Sequence, residues 1–121
     1  AHLVHKNDAG QLAVIGLLMN QGGSDNPIIE ALWQKMPKNH NETRSYDELK
    51  YNVSDLLPSN KSYWTFMGSL TTPPCSEGVR WLVLKNPLYV SSQQILRFKK
   101  EFPMNARPLQ SMFQRVILDS N

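Results

Sequence analysis

The chain has 121 residues, of which 40% are apolar and 19% charged, a composition typical of a globular protein rather than of a disordered or collagen-like one. The formal charge is +3, and Lys99-Lys100 is the only adjacent basic pair, so no basic stripe predicts a nucleic-acid partner. No apolar run approaches the ~20 residues of a membrane span. The single cysteine, Cys75, excludes a disulfide framework within the chain.

The first predicted elements are strands. His2 to His5 is β-like and is followed by turn chemistry. Gln11 to Met19 is a continuous apolar run that fits a strand buried on both faces or a buried helix, and its length favours the strand. Gln21 to Ser24 should break it. We expect residues 1–121 made alone to be unstable or aggregation-prone, because Leu12 to Leu18 would lack neighbouring strands.

Two helices are predicted from their caps. Asn26 followed by Pro27 starts the first helix, and Pro37 ends it. Its apolar face is Ile29, Leu32, Trp33 and Met36. The second helix starts at Ser91, with Gln94 completing a capping box. Its buried side is Ile95, Phe98 and Phe102.

Between the helices, Lys38 to Ser62 is polar and rich in turn residues. Two further strands are predicted at Tyr63 to Phe66 and at Val79 to Leu84, with a turn at Gly68 to Pro74 between them. In the tail, Arg107 is predicted to bind backbone carbonyls and so tie the tail to the body of the protein. The pattern predicts a mixed, strand-rich sheet with the helices outside it.

The histidines are the first candidates for chemistry. His2 and His5 are three residues apart, so on a strand they point to opposite faces and cannot bind the same ion. His40 lies in a polar loop without a visible partner. A catalytic zinc needs three protein ligands and a water, and this chain offers at most one well-placed ligand. Spacing alone favours a structural role for His2.

The turn between the two later strands is more informative. Thr72 precedes Pro73-Pro74, which makes the segment stiff, and a stiff turn with hydroxyl groups can hold a hydrogen bond in place. A plain turn with solvent-facing threonines is the alternative. Cys75 by itself is equally ambiguous, because a lone cysteine is most often a small buried apolar residue.

Segments along the whole chain resemble α-class carbonic anhydrase, and they occur in the order of that family. The most specific is the Gly68 to Cys75 block, in which a cysteine directly after two prolines is similar to the secreted bacterial members. The other segments are Ala1 to His5, Leu12 to Gly16, Tyr63-Trp64, Val79 to Trp81, Val90 to Gln94 and Asn105 to Gln110.

The resemblance implies a mixed α+β, β-dominated fold, part of a central twisted, largely antiparallel sheet with peripheral helices. In the family the domain is longer than this chain, and its zinc is held by three histidines, two of them well before the matching segment. Residues 1–121 would then be the C-terminal portion of a single domain whose N-terminal half is absent. The implied activity is zinc-dependent, reversible hydration of CO2 to bicarbonate and a proton by the complete domain, and the 121-residue chain alone would be inactive.

The resemblance also assigns roles. His2 would be the third zinc ligand, and His5 would point away from the metal in a supporting role. Thr71 would be the gate residue that accepts the hydrogen bond of the zinc-bound hydroxide, and Thr72 would help seat bicarbonate. The apolar wall for CO2 would be Val4, Val14, Leu70, Val79 and Trp81. The family's proton-shuttle histidine belongs to the absent half, and His40 is a poor substitute.

The implied partners are CO2 or bicarbonate and the absent N-terminal half, and a homodimer stays open. Nucleic acid and a membrane span are not expected. Cys75 would pair with a cysteine near the absent N-terminus in a periplasmic or secreted protein. Two alternatives remain: a catalytically silent carbonic-anhydrase-like binding domain, and an inactive fragment.

Overall fold

The computed structural model describes residues 1–37, 39, 41–48 and 50–120. The elements are β1 (His2–Lys6), β2 (Leu12–Gly16), β3 (Met19–Gly22), α1 (Pro27–Gln34), β4 (Tyr63–Ser69), β5 (Glu77–Leu84), β6 (Leu88–Ser91), α2 (Ser92–Glu101) and β7 (Leu118–Asp119), with a 3-10 turn at Val53–Leu56. None of the helices in these residues is long and apolar enough to cross a membrane. The chain divides into two compact units, which are described separately.

The first unit comprises Ala1–Met19, Pro58–Pro87 and Ala106–Asn121 and contains a five-stranded sheet in the order β1-β2-β5-β4-β7. Strands β2 and β5 pair in parallel, whereas the β1-β2, β4-β5 and β4-β7 pairs are antiparallel. The predicted fold class, mixed α+β, dominated by strands and with a largely antiparallel sheet, is confirmed.

One strand prediction is wrong in its bounds. The run from Gln11 to Met19 is not a single strand, because β2 ends at Gly16 and β3 occupies Met19–Gly22, where a break was predicted. A close approach at Gly22 accounts for the strand at the predicted break: a Cβ there would lie 3.0 Å from Cβ of Tyr89 in β6, the strand that pairs with β3. Gly22, which was expected to break a strand, thus permits β3 to pair with β6.

The reason given for instability of the isolated chain is also wrong. Strand β2 lies between β1 and β5, so it has a hydrogen-bonded neighbour on each side. In the described part of the sheet the outer positions belong to β1 and β7. The outer strands β1 and β7 and the exposed apolar side chains of the tail, such as Leu109 and Phe113, are features that favour aggregation.

Strands β4 and β5 are longer than predicted, and their pairing forms the core of the first unit. Strand β4 extends through Ser69, and β5 begins at Glu77, so the connecting turn runs from Leu70 to Ser76 rather than from Gly68 to Pro74. The core consists of buried Val14, Val79 and Trp81, with Leu12, Phe66, Leu70 and Val83 packed against it.

The second unit comprises Asn20–Leu57 and Leu88–Asn105. Both helix starts are as predicted: the Asn26 side chain accepts from the first amides of α1, and Ser91 and Gln94 form the capping box of α2. Helix α1 ends at Gln34 rather than at Pro37. The rings of Trp33 and Phe98 stack with their centroids 5.4 Å apart, joining the two helices.

Candidate functional site

The candidate site is a largely apolar cavity of about 390 Å³ in the first unit. Strand register explains how its wall forms. Val14 pairs with both Val4 and Trp81, and Trp81 pairs with Phe66. Cross-strand partners share a face of the sheet, and His2, two residues before Val4, shares it too. His2, Phe66 and Trp81 accordingly line the cavity, and Thr71 joins them just after β4.

His2 is the imidazole of this cavity. Its ring meets the indole of Trp81 edge to face, with centroids 4.9 Å apart, while the remainder of the side chain is exposed. Partial burial lowers the pKa of His2. A neutral imidazole is the form that binds a metal ion.

His5 lies elsewhere, as the alternation along β1 requires. It borders a second cavity together with Lys6 and Arg80, and its Nδ1 lies 2.9 Å from the carbonyl oxygen of Leu3. His2 and His5 thus face different cavities. His40 lies outside the described residues.

A zinc site does not form from these residues alone. Within residues 1–37, 39, 41–48 and 50–120, no three or more His, Cys, Asp or Glu side chains come together as a metal site requires. A catalytic zinc takes three protein ligands. His2 fits one ligand position by its neutral, accessible imidazole, and the set is incomplete.

The two threonines differ in their surroundings. Thr71 is exposed and lines the cavity. Thr72 is in the turn that follows, where its carbonyl accepts a hydrogen bond from the amide of Cys75 at 2.9 Å. The peptide bond between Pro73 and Pro74 is cis. Cys75 is half-buried, has a free thiol and adopts a left-handed φ of 57°.

Of the five predicted wall residues, Trp81 is the one that lines the cavity. Val14 and Val79 are buried with it in the core, at 1% and 0% exposure. Leu70 packs against this core, and Val4 is 59% exposed.

Sequence reasoning missed Phe66 and Arg107 as lining residues of the cavity. Phe66 lies in the predicted strand Tyr63 to Phe66, and its large aromatic side chain was the available signal. The prediction that Arg107 binds a backbone carbonyl is confirmed, since its Nη1 donates to the carbonyl of Leu70 at 3.2 Å.

With this geometry established, residues 3–121 match the family model described as eukaryotic-type carbonic anhydrase. The chain belongs to the carbonic anhydrase family. A carbonic anhydrase of Klebsiella pneumoniae is 43% identical over 119 residues, 98% of this chain and 48% of that protein. A carbonic anhydrase of Nostoc sp. is 39% identical over 119 residues, 98% of this chain and 45% of that protein.

The solved structures agree with this family assignment. The α-carbonic anhydrase of Thermovibrio ammonificans, determined in complex with the inhibitor sulfanilamide, has a TM-score of 0.89 at 38% identity, covering 96% of this chain and 51% of that one. This member of the carbonic anhydrase family spans about half the length of the curated relatives that it matches.

Proposed function

We propose that this chain is the C-terminal portion of a single carbonic anhydrase domain that hydrates CO2 reversibly to bicarbonate and a proton. One observation carries the proposal: His2 and Thr71, a histidine suited to bind a metal and a threonine hydroxyl, line one largely apolar cavity. The family match supports the reaction class. In this proposal the 121-residue chain is inactive on its own, because it supplies one imidazole of the set of three.

The cavity wall suits the substrate. CO2 has no net dipole, so aromatic surface such as that of Phe66 and Trp81 can hold it without the cost of desolvating a charge. Trp81 forms the wall directly, whereas Val14 and Val79 are buried with it in one core cluster.

The polar residues at the cavity would orient the attacking hydroxide and the bicarbonate product. Thr71 would accept a hydrogen bond from the attacking hydroxide and so direct it toward the carbon of CO2. Thr72, in the adjoining turn, would help seat the bicarbonate product. When bound by His2 and two further ligands from outside the described residues, zinc would supply a Lewis acid and a water whose pKa is about 7.

We propose a location for the complete protein as well. A cysteine directly after two prolines is similar to secreted bacterial members, which supports a periplasmic or secreted protein with Cys75 paired to a cysteine elsewhere in the domain. A homodimer stays a prediction.

Two substitutions in the complete protein test the function, with metal content measured by mass spectrometry beside stopped-flow CO2 hydration. His2→Ala removes a ligand, so zinc content and activity should both collapse. Thr71→Ala keeps the ligands, so the enzyme should retain zinc and turn over roughly 10²-fold more slowly. His5→Ala is the control for loss of an imidazole from β1 and should keep its zinc, because His5 borders a different cavity.

The outcomes separate the alternatives. Stoichiometric zinc in His2→Ala would show that the site is on another strand. Parent-like turnover in Thr71→Ala would remove the gate role. A complete parent protein that neither binds zinc nor hydrates CO2 would favour the silent binding domain.

A further inference from the structure

We propose that Arg107 is a positioning residue for Thr71: its guanidinium group holds the two residues before Thr71 and so fixes that side chain at the cavity wall. The inference rests on the proposed function, which gives Thr71 its part in the reaction. Arg107 is 36 positions further along the chain and lines the same cavity, so the link is tertiary.

The contact consists of hydrogen bonds from one guanidinium nitrogen. Arg107 Nη1 donates to the hydroxyl oxygen of Ser69 at 2.8 Å and to the carbonyl oxygen of Leu70 at 3.2 Å. The Ser69 hydroxyl in turn donates to the Leu70 carbonyl at 3.1 Å. Bonds from a charged donor are roughly twice as strong as neutral ones, so these contacts restrain the segment effectively.

Ser69 and Leu70 also form hydrogen bonds with Trp81 and Ser76. The indole N–H of Trp81 donates to the carbonyl of Ser69 at 3.0 Å, and the amide of Leu70 donates to the carbonyl of Ser76 at 2.9 Å. Gly68 permits the indole to approach, since a Cβ there would lie 3.0 Å from Trp81 Cδ1. Arg107, Trp81 and Ser76 therefore all hold the backbone that leads to Thr71. Of these three residues, Arg107 is the charged one.

An arginine suits this task better than a lysine. Its guanidinium group is planar and presents fixed donor directions, so two acceptors on adjacent residues can be held at once. A lysine ammonium keeps the charge but sits on a flexible stem with freely rotating donors. Arg107→Lys should therefore keep the attraction and lose part of the alignment.

The kinetic experiment is a double-mutant cycle in the complete protein. Arg107→Gln should lower kcat for CO2 hydration by about tenfold with KM nearly unchanged, because a displaced orienting group mainly slows the chemical step. In a Thr71→Ala background the same substitution should have no further effect. Arg97→Gln is the matched control: Arg97 is not among the residues that line the cavity, and its guanidinium group donates to the Glu30 carboxylate at 3.0 Å and to the Trp33 carbonyl at 2.9 Å.

A second readout does not depend on turnover. The methyl NMR resonance of Thr71, assigned with Thr71→Ala, should shift and broaden in Arg107→Gln, shift less in Arg107→Lys and stay unchanged in Arg97→Gln. If Arg107→Gln fails to fold, Arg107→Lys gives the same comparison.

Two results would overturn the proposal. One is that Arg107→Gln lowers kcat by the same factor in the Thr71→Ala background as in the parent protein. The other is that the Thr71 methyl resonance does not change in Arg107→Gln. An inactive parent protein in which the resonance still responds to Arg107 would overturn the proposed function and leave the positioning link in place.

Discussion

The imidazole of His2 and the indole of Trp81 meet edge to face, at a centroid distance of 4.9 Å and an interplanar angle of 81°. The indole N–H of Trp81 donates to the carbonyl of Ser69, two residues before Thr71. One tryptophan therefore contacts the candidate metal ligand through its ring and the threonine segment through its hydrogen bond. Trp81 thus connects His2 with the segment that carries Thr71.

This link predicts the effect of Trp81→Phe in the complete protein. The smaller ring keeps most of the aromatic packing but leaves the half-buried Ser69 carbonyl without its donor, so the free energy of unfolding should fall by about 1–3 kcal/mol. Urea denaturation measures it. Trp64→Phe, at a half-exposed position of β4, is the control and should stay within about 0.5 kcal/mol of the parent. Equal losses in both variants would show that the Trp81 hydrogen bond is unimportant.

Gln94 should be far more important to stability than its neighbour Gln93. Its side chain is 2% exposed, accepts from the amides of Asn26 and Ser91 at 2.9 and 3.2 Å, and donates to the Asn26 carbonyl at 2.9 Å. Gln94→Ala leaves these groups unpaired and should cost at least about 2 kcal/mol, whereas exposed Gln93→Ala should be nearly neutral. The comparison is made by thermal and chemical denaturation, and a neutral Gln94→Ala would contradict the network's role.

Thr65 carries a buried hydroxyl that finds no hydrogen-bond partner among the described residues. Thr65→Val is nearly isosteric and removes that hydroxyl, so the described contacts predict a gain of about 1 kcal/mol in the free energy of unfolding. Exposed Thr43→Val is the control and should change little. A loss of stability in Thr65→Val of the complete protein would instead mean that a segment beyond the described residues bonds this hydroxyl.

Cys75 is tested by thiol titration of the complete protein in denaturant, with and without prior reduction. If the predicted pairing exists, its thiol should titrate after reduction and not before. A disulfide closing a long loop stabilises by about 4 kcal/mol in the chain-entropy model, so reduction should also lower the midpoint of thermal unfolding. A Cys75 thiol that titrates fully in the unreduced protein would remove the support for the disulfide and for the periplasmic or secreted location.

Local chemistry made part of the fold predictable. The cap at Asn26 and the capping box of Ser91 and Gln94 depend on residues within one turn of each other, and both are as predicted. The pairing of β3 with β6 depends on the close approach of Gly22 and Tyr89, which are distant in sequence. An apolar run alone carries no sign of the partner against which it will pair.

For the candidate site, the sequence by itself determined that His2 and His5 face opposite sides, because side chains alternate along any strand. The sequence also predicted that this chain offers at most one well-placed ligand to a zinc ion. Only the tertiary structure decided which wall residues reach the cavity. Register across β1, β2, β5 and β4 buries Val14 and Val79 with Trp81 in the core and brings Phe66 to the cavity, because side-chain neighbours across a sheet depend on strand pairing. The contact of Arg107 with Ser69 and Leu70 depends on the path of the tail, which no local pattern predicts.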